Sequence, residues 1–279
     1  MLIHWSVSPE IFSMGPFHLR WYGLMFLLGF TLGYQGMVQV CRWERLPVEK
    51  LDSLLMHLVL GTTIGARLGH VIFYDPVFYF SHPLEIFKIW EGGLASHGGG
   101  VGVMVALWLF CRKNPEFKLL WLYDRIAIFT VMTGCFIRIG NLMNSEILGK
   151  PTDGRWGVIF EHVDQIPRHP AMIYESFAYL LIFLSSYFLY RRWRETSPRG
   201  FLFGYVLALI FVARFIIEYW KENQSPFESE MIINMGQTLS IPFVLAGAWM
   251  MWRAWKKGFE PKLAPLPIRK NKKASGVPL

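Results

Sequence analysis

Apolar residues gather in seven long runs, at roughly 20–40, 52–74, 94–111, 120–137, 171–190, 200–218 and 236–253, and charge and proline concentrate between them. A bilayer span takes about 20 apolar residues. The pattern predicts an all-α fold, a polytopic integral membrane bundle of about seven transmembrane helices. Residues 1–19 lack a basic start followed by an apolar stretch, so no cleaved signal peptide is expected and the first run serves as its own targeting signal. No internal repeat is evident. The expected organisation is a membrane domain at 1–258, with a small outer segment at 138–169, and a basic, proline-containing, disordered tail at 259–279.

Composition agrees with that pattern. Hydrophobic residues make up 53% of the chain and charged residues 17%, against about 25% charged in an average soluble protein, and mean hydropathy is +0.32. Basic residues set the orientation. Eighteen lysines and arginines lie in 41–50, 111–119, 191–199 and the tail after 252, against seven in the alternate segments. The amino terminus is therefore expected outside and the carboxyl terminus in the cytoplasm. The net charge of +8 is then mostly a cytoplasmic collar facing anionic lipid, and calls for no nucleic acid. Cys41, Cys111 and Cys135 show no C-x-x-C spacing, so neither a disulfide nor a cysteine nucleophile is expected.

Polar groups inside apolar runs are costly and are functional candidates by default. Tyr22 opens the first run, Arg67 lies toward the outer end of the second, and His97 begins the third. Arg138 ends the fourth, while Arg214 and Glu218 lie near the outer end of the sixth. All six fall on the outer half, which points to one site there. Arg214 and Glu218 share a helix face, in the weaker order for an i,i+4 pair, and a carboxylate at a helix C-terminus opposes the dipole. Either an internal salt bridge or a functional demand would account for that choice.

Two stretches carry most of the chemistry. SHGGGVG at 96–102 could build an oxyanion hole or a phosphate loop, but the chain has no G-x-S-x-G elbow and no G-x-x-x-x-G-K-[ST]. Its glycines suit close approach of backbone to a lipid head group or to neighbouring helices. RIGNLMNSEILG at 138–149 brings together a guanidinium, two amides and a carboxylate. Arginine offers a planar fork for phosphate, and asparagines both donate and accept. A capped polar loop is the plainer reading of that block. Glu161, Asp164 and His169 match no helix-borne metal motif, so no metal is expected.

The block RIGNLMNSEILG resembles the signature of the prolipoprotein diacylglyceryl transferase family. Further motifs follow in the same order: LRWYGLMF at 19–26, GARLGHVIFY at 65–74, WEGGLASHGGGVG at 90–102, PRHPAMIYE at 167–175, ARFIIEYW at 213–220 and MGQTLSIP at 235–242. The chain departs from the family's usual pattern at Ile137, Ile210 and Lys221, where glycine, tyrosine and arginine are common.

The resemblance implies an inner-membrane enzyme with its site toward the outer leaflet. It would transfer the diacylglyceryl group of phosphatidylglycerol to the lipobox cysteine of a prolipoprotein signal peptide, releasing glycerol 1-phosphate. It implies catalytic roles for Tyr22, His97, Arg138 and Arg214. Substrate binding is expected of Arg138, Asn141, Glu146, Gly149 and Glu218, which the family's motifs cover, and of Arg67, Gly98, Gly99 and Asn144, which the residues themselves suggest, with Glu218 holding an arginine. No cofactor is expected, the partners are the two substrates and the bilayer, and the enzyme is expected to be a monomer. His97 has two possible roles, base for the thiol or orienting group. A transporter would instead show paired interrupted helices between repeats, and a scaffold would have no use for Arg67, Arg138 and Arg214 in or beside apolar spans.

Overall fold

The computed structural model describes residues 1–15, 17–222 and 233–262. Seven long helices coincide with the seven apolar runs: α1 (Trp21–Trp43), α2 (Leu51–Phe73), α4 (Ser96–Lys113), α5 (Leu119–Met143), α6 (Ala171–Trp193), α7 (Phe201–Ile217) and α8 (Met235–Lys257). A short helix, α3 (Pro76–Ser81), lies between α2 and α4. Among the described residues five helical stretches, Trp21–Trp43, Val48–Phe73, Leu119–Met143, Ala171–Thr196 and Phe201–Trp220, are long and apolar enough to cross a membrane. The other two long helices, α4 and α8, are diluted by glycines, by His97 and Gln237 and by basic ends.

α5 is the central helix and packs against α1, α6 and α7. α2 pairs mainly with α4, and α7 with α8. Both pairs depend on absent side chains, because small residues let helix backbones meet in lipid. A Cβ on Gly98 would lie 2.8 Å from the Gly69 Cα, and one on Gly102 2.9 Å from the Gly65 Cα. Gly204 and Gly247 do the same for α7 and α8, where a Cβ on Gly204 would lie 2.7 Å from the Gly247 carbonyl oxygen. The buried apolar core, including Met37, Cys41, Leu51, Leu107, Phe110 and Trp121, lies toward the basic end. Large apolar side chains elsewhere on the helices face outward, as lipid requires.

The segments outside the helices are not all loops. β1 (Leu2–Trp5) pairs in parallel with β4 (Gly157–Phe160), which pairs antiparallel with β5 (Pro167–Arg168). β2 (Glu10–Met14) and β3 (Phe17–Arg20) form a hairpin that runs directly into α1. The all-α expectation thus holds for the bundle and is corrected at the end away from the basic segments. These strands are two to five residues long, and β1 finds its partner more than 150 positions away, so no local periodicity announces them. The polar block also starts differently from the reading at 138–169: Arg138 and Asn141 sit on the last turns of α5, and the loop begins at Asn144.

At the opposite end the basic segments converge. Arg125 of α5 donates to Glu44 (3.0 Å), to the Ser197 hydroxyl (2.8 Å) and to the Arg194 carbonyl (2.9 Å). Asp124 accepts from the Gly200 and Phe203 amides at 2.7 and 2.8 Å, and Trp121 Nε1 donates to Glu44 at 2.6 Å. Phe259 packs against Trp193 and Trp255, and the Glu260 amide donates to the Thr196 carbonyl. The first residues of the expected tail are therefore docked, while 263–279 lie outside the described residues.

Candidate active site

At the other end of the bundle α5, α6 and α7 bring the expected arginines together. Arg138 Nε lies 2.7 Å from Glu175 Oε2, a charge contact without hydrogen-bond alignment, and its Nη1 donates to Asn141 Oδ1 at 3.0 Å. Its Cζ stands 6.0 Å from the centre of the Tyr179 ring, and Tyr179 is within electrostatic reach of both Arg138 and Arg214. Tyr22 packs on the same helix turn: a Cβ on Gly140 would lie 2.9 Å from Tyr22 Cδ2.

Glu218 departs from expectation. The carboxylate is buried and lies against the first turn of α8, since a Cβ on Gly236 would come 2.7 Å from its Oε1. That helix N-terminus supplies the positive dipole end that the C-terminus of α7 denies it. Its cationic neighbour is Lys221 at 3.4 Å, which stands equally far from Glu175. Glu218 thus holds a lysine where an arginine was expected. Among the described residues Arg214 makes no hydrogen bond or ion pair.

The polar block continues past α5 in a strained turn. Ser145 (φ 53°) and Ile147 (φ 59°) are left-handed, a conformation that costs a β-branched residue most. The turn aims the exposed Glu146 carboxylate back at Asn141 and Asn144, each of whose Nδ2 donates to it at 3.1 Å. Asn144 Oδ1 and Ser145 Oγ are buried with no hydrogen-bond partner among the described residues. Gly149 is fixed by crowding: a Cβ there would lie 2.5 Å from the His169 Cβ and 2.8 Å from the Trp220 carbonyl oxygen. The chain segments meeting there, joined by Lys150 N to Trp220 O and Glu222 N to Leu148 O, carry Lys221 to its carboxylates.

Arg168 fastens this head, contacting Asp164 (2.6 Å), Glu222 (3.2 Å) and the Gly149 carbonyl. Its hydrogen bonds hold the Asp164 carboxyl below the usual carboxylate range. Burial among Trp156, Tyr174 and Trp220 pushes His169 below the ordinary imidazole value.

Four expected residues, His97, Gly98, Gly99 and Arg67, lie apart from Arg138 and Arg214. His97 opens α4 at the same end of the molecule, is exposed, and makes no hydrogen bond among the described residues. Gly98 is spent on helix packing, and Gly99 is buried, where an added Cβ would stand an ordinary 3.5 Å from the Ala66 Cβ. Arg67 is buried and commits four donations to the carbonyls of Glu85, Ile86, Gly92 and Gly93, at 2.5 to 3.1 Å. Glu175, Tyr179 and Lys221 complete the arrangement and were absent from the expected set. Glu175 carries the same signal as Arg67 and Arg214, an ionisable group inside an apolar run.

Fold and site define a helical membrane protein with a polar centre of arginines, carboxylates and amides gathered between α5, α6 and α7. A sequence profile described as prolipoprotein diacylglyceryl transferase matches residues 9–253. A relative from Tolumonas auensis named phosphatidylglycerol–prolipoprotein diacylglyceryl transferase is 52% identical over 250 residues, covering 90% of this chain and 96% of its own. Relatives of the same name from Chloroherpeton thalassium and Bacteroides fragilis are each 43% identical, over 255 and 267 residues; both alignments cover 91% of this chain, and 95% and 96% of the relatives. The chain belongs to the prolipoprotein diacylglyceryl transferase family, and it is a transferase.

Proposed function

We propose that the chain transfers the diacylglyceryl group of phosphatidylglycerol to the cysteine thiol of a prolipoprotein lipobox, the first step of lipoprotein maturation, at a site formed by Arg138, Arg214 and the 141–149 block. One observation carries the residue-level reading. Arg138, Lys221, Glu175 and Glu218 balance as two cations and two carboxylates, the exposed Glu146 carboxylate is held by Asn141 and Asn144, and Arg214 makes no ion pair among the described residues. An uncompensated charge in an apolar surround is expensive, and a phosphodiester would relieve it.

The chemistry follows from that surplus. The cysteine sulfur attacks the diacylglycerol carbon that bears the phosphate. A C–S bond forms, the C–O bond breaks, and the electron pair leaves on glycerol 1-phosphate. The phosphodiester carries one negative charge and the departing monoester gains a second, which donors aimed at its oxygens stabilise most in the transition state. Arg138 and Arg214 are those donors, with Tyr179 and Tyr22 beside Arg138. Asn144 Oδ1 and Ser145 Oγ, unpartnered and buried, suit the hydroxyls of the glycerol head group, and Asn141 and Glu146 orient the same region.

A thiol of pKa about 8.5 must lose its proton. His97 either accepts it or orients the reactants. The uncapped N-terminus of α4, where no side chain caps the helix, adds partial positive charge beside it. Gly98, Gly99, Gly149 and Arg67 support the site through backbone placement. The reading extends to seven spans, an outer amino terminus and a site facing the outer leaflet of the inner membrane, supported by the alternation of the seven long helices and the basic asymmetry. Turnover of labelled phosphatidylglycerol with a lipobox peptide by purified protein tests it. Thioether-linked diacylglyceryl peptide and glycerol 1-phosphate should appear in equal amounts, and release of the phosphate without peptide modification would contradict it.

A further inference from the structure

Between α2 and α4 the chain makes a plate that the reaction does not use. Residues 74–94 comprise α3, two short 3-10 turns at Pro83–Phe87 and Ile89–Glu91, and the glycine pair Gly92 and Gly93. Its inner face is fastened. Arg67 donates to the four carbonyls named above, lies 5.0 Å from the centre of the Tyr79 ring, and Tyr79 is itself buried against His70. Gly93 has φ +69°, and a Cβ there would meet Arg67 Nη1 at 2.6 Å, so the carbonyls can reach the guanidinium only with glycine in place.

The outer face is the reverse. Val77, Phe80, Leu84, Phe87 and Trp90 are each more than 70% exposed. A contiguous patch of large apolar side chains marks an interaction surface. Lys88 pairs with Glu85 at 2.6 Å, and the Asp75 carboxylate caps α3 at the Phe78 amide. The patch is also continuous with lipid-facing surface. Leu60, Ile64, Leu68 and Ile72 form one exposed row along α2 at helical spacing, and that row runs straight into Phe73 and the plate. Aromatic residues at a span end are typical of the head-group level.

We propose that residues 74–94 form an interfacial plate that dips its Val77, Phe80, Leu84, Phe87 and Trp90 face into the lipid leaflet bordering the active site, with Arg67 as its tether. The plate passes directly into α4, where the Ala95 amide donates to the Ala66 carbonyl at 2.9 Å. Its depth therefore sets the depth of His97, two residues further on. The inference concerns lipid contact and stands whether or not the assigned reaction is correct.

Spin labels on single cysteines in a background lacking Cys41, Cys111 and Cys135 read the depth directly. Full-length protein carrying Phe87→Cys or Val77→Cys is reconstituted into phosphatidylcholine–phosphatidylglycerol vesicles, with Leu60→Cys as the bilayer reference and Asp153→Cys as the aqueous one. Both plate labels should be open to oxygen and shielded from a water-soluble nickel chelate, at a depth shallower than Leu60. Nickel access equal to that at Asp153 would overturn the proposal. So would dipolar broadening that disappears on dilution with unlabelled protein, since the plate would then meet a second copy of the chain. Arg67→Gln should sharply raise label mobility at 87 and leave that at 60 unchanged, with Arg67→Lys giving a smaller rise if the glutamine variant does not insert. Unchanged mobility at 87 in an inserted variant would remove Arg67 as the tether.

Discussion

The two ends of the bundle each bury a charged group, and they handle it in opposite ways. At the basic end Arg125 is enclosed by Glu44, Asp124, the Ser197 hydroxyl and a backbone carbonyl, and its side chain is 1% exposed. At the other end Arg138 keeps 18% of its side chain exposed, Arg214 lacks a counter-ion among the described residues, and two buried acceptors in the Asn144–Ser145 turn are unpartnered. A buried charge serving only the fold is expected to be satisfied on all sides. One serving a reaction leaves charge and hydrogen-bonding capacity unspent for a substrate.

That contrast breaks most visibly at the closed end. Arg125→Leu strands Glu44 and Asp124 in the interior and should cost about 3–5 kcal/mol of stability, read as a large drop in thermal unfolding temperature in detergent. Protein that remains folded should turn over normally. Normal stability with lost turnover would reverse the assignment of the two ends. Next in size is the pair Arg138→Lys and Arg214→Lys, which keep charge and lose the planar fork. Each should lower kcat/KM about 100-fold with unfolding temperature little changed, and near-normal rates in both would mean that point charge suffices.

His97→Asn separates the two roles of the histidine. As the base, the variant should lose most activity at pH 7, where a thiol of pKa about 8.5 is mostly protonated, and recover as pH rises and the thiolate forms unaided. A ratio to wild type that stays flat between pH 7 and 9 would select the orienting role. The smallest effects come from the glycines beside it. Gly98→Ala pushes a methyl into the α2 backbone and should destabilise by about 1–3 kcal/mol. Nothing stands within 4 Å of a Cβ on Gly100, so Gly100→Ala should stabilise by about 0.5–1 kcal/mol. Equal unfolding temperatures would contradict the packing account of SHGGGVG.

The bundle was legible because lipid imposes a length and a polarity on every span. Hydrophobic runs found all seven long helices, and the basic residues found the end where Arg125, Arg194 and Arg199 gather. The head was not, because β1 and β4 are four residues each and their pairing is long-range. Within the proposed site, single-residue reasoning pointed to Arg138 and Arg214 by the cost of charge in apolar runs. The same criterion applied evenly also picks out Glu175 beside Arg138, and Asp124 and Arg125 at the basic end. Which arginine is paired, and that Glu218 leans on α8 and Lys221, depends on helix neighbours that only the fold brings together. Arg67 and Gly98 looked like substrate groups for the same reason, since a tether and a packing contact carry no mark in sequence.

The surplus positive charge at Arg214 is tested most directly by binding without turnover. Titration of short-chain phosphatidylglycerol and the matching uncharged diacylglycerol into wild type, Arg214→Gln and Arg125→Gln, with no peptide present, compares the two ends in one experiment. Wild type and folded Arg125→Gln should prefer the phospholipid over diacylglycerol by the same factor, and Arg214→Gln should lose that preference. Undiminished preference in Arg214→Gln, or its loss in Arg125→Gln alone, would contradict the account.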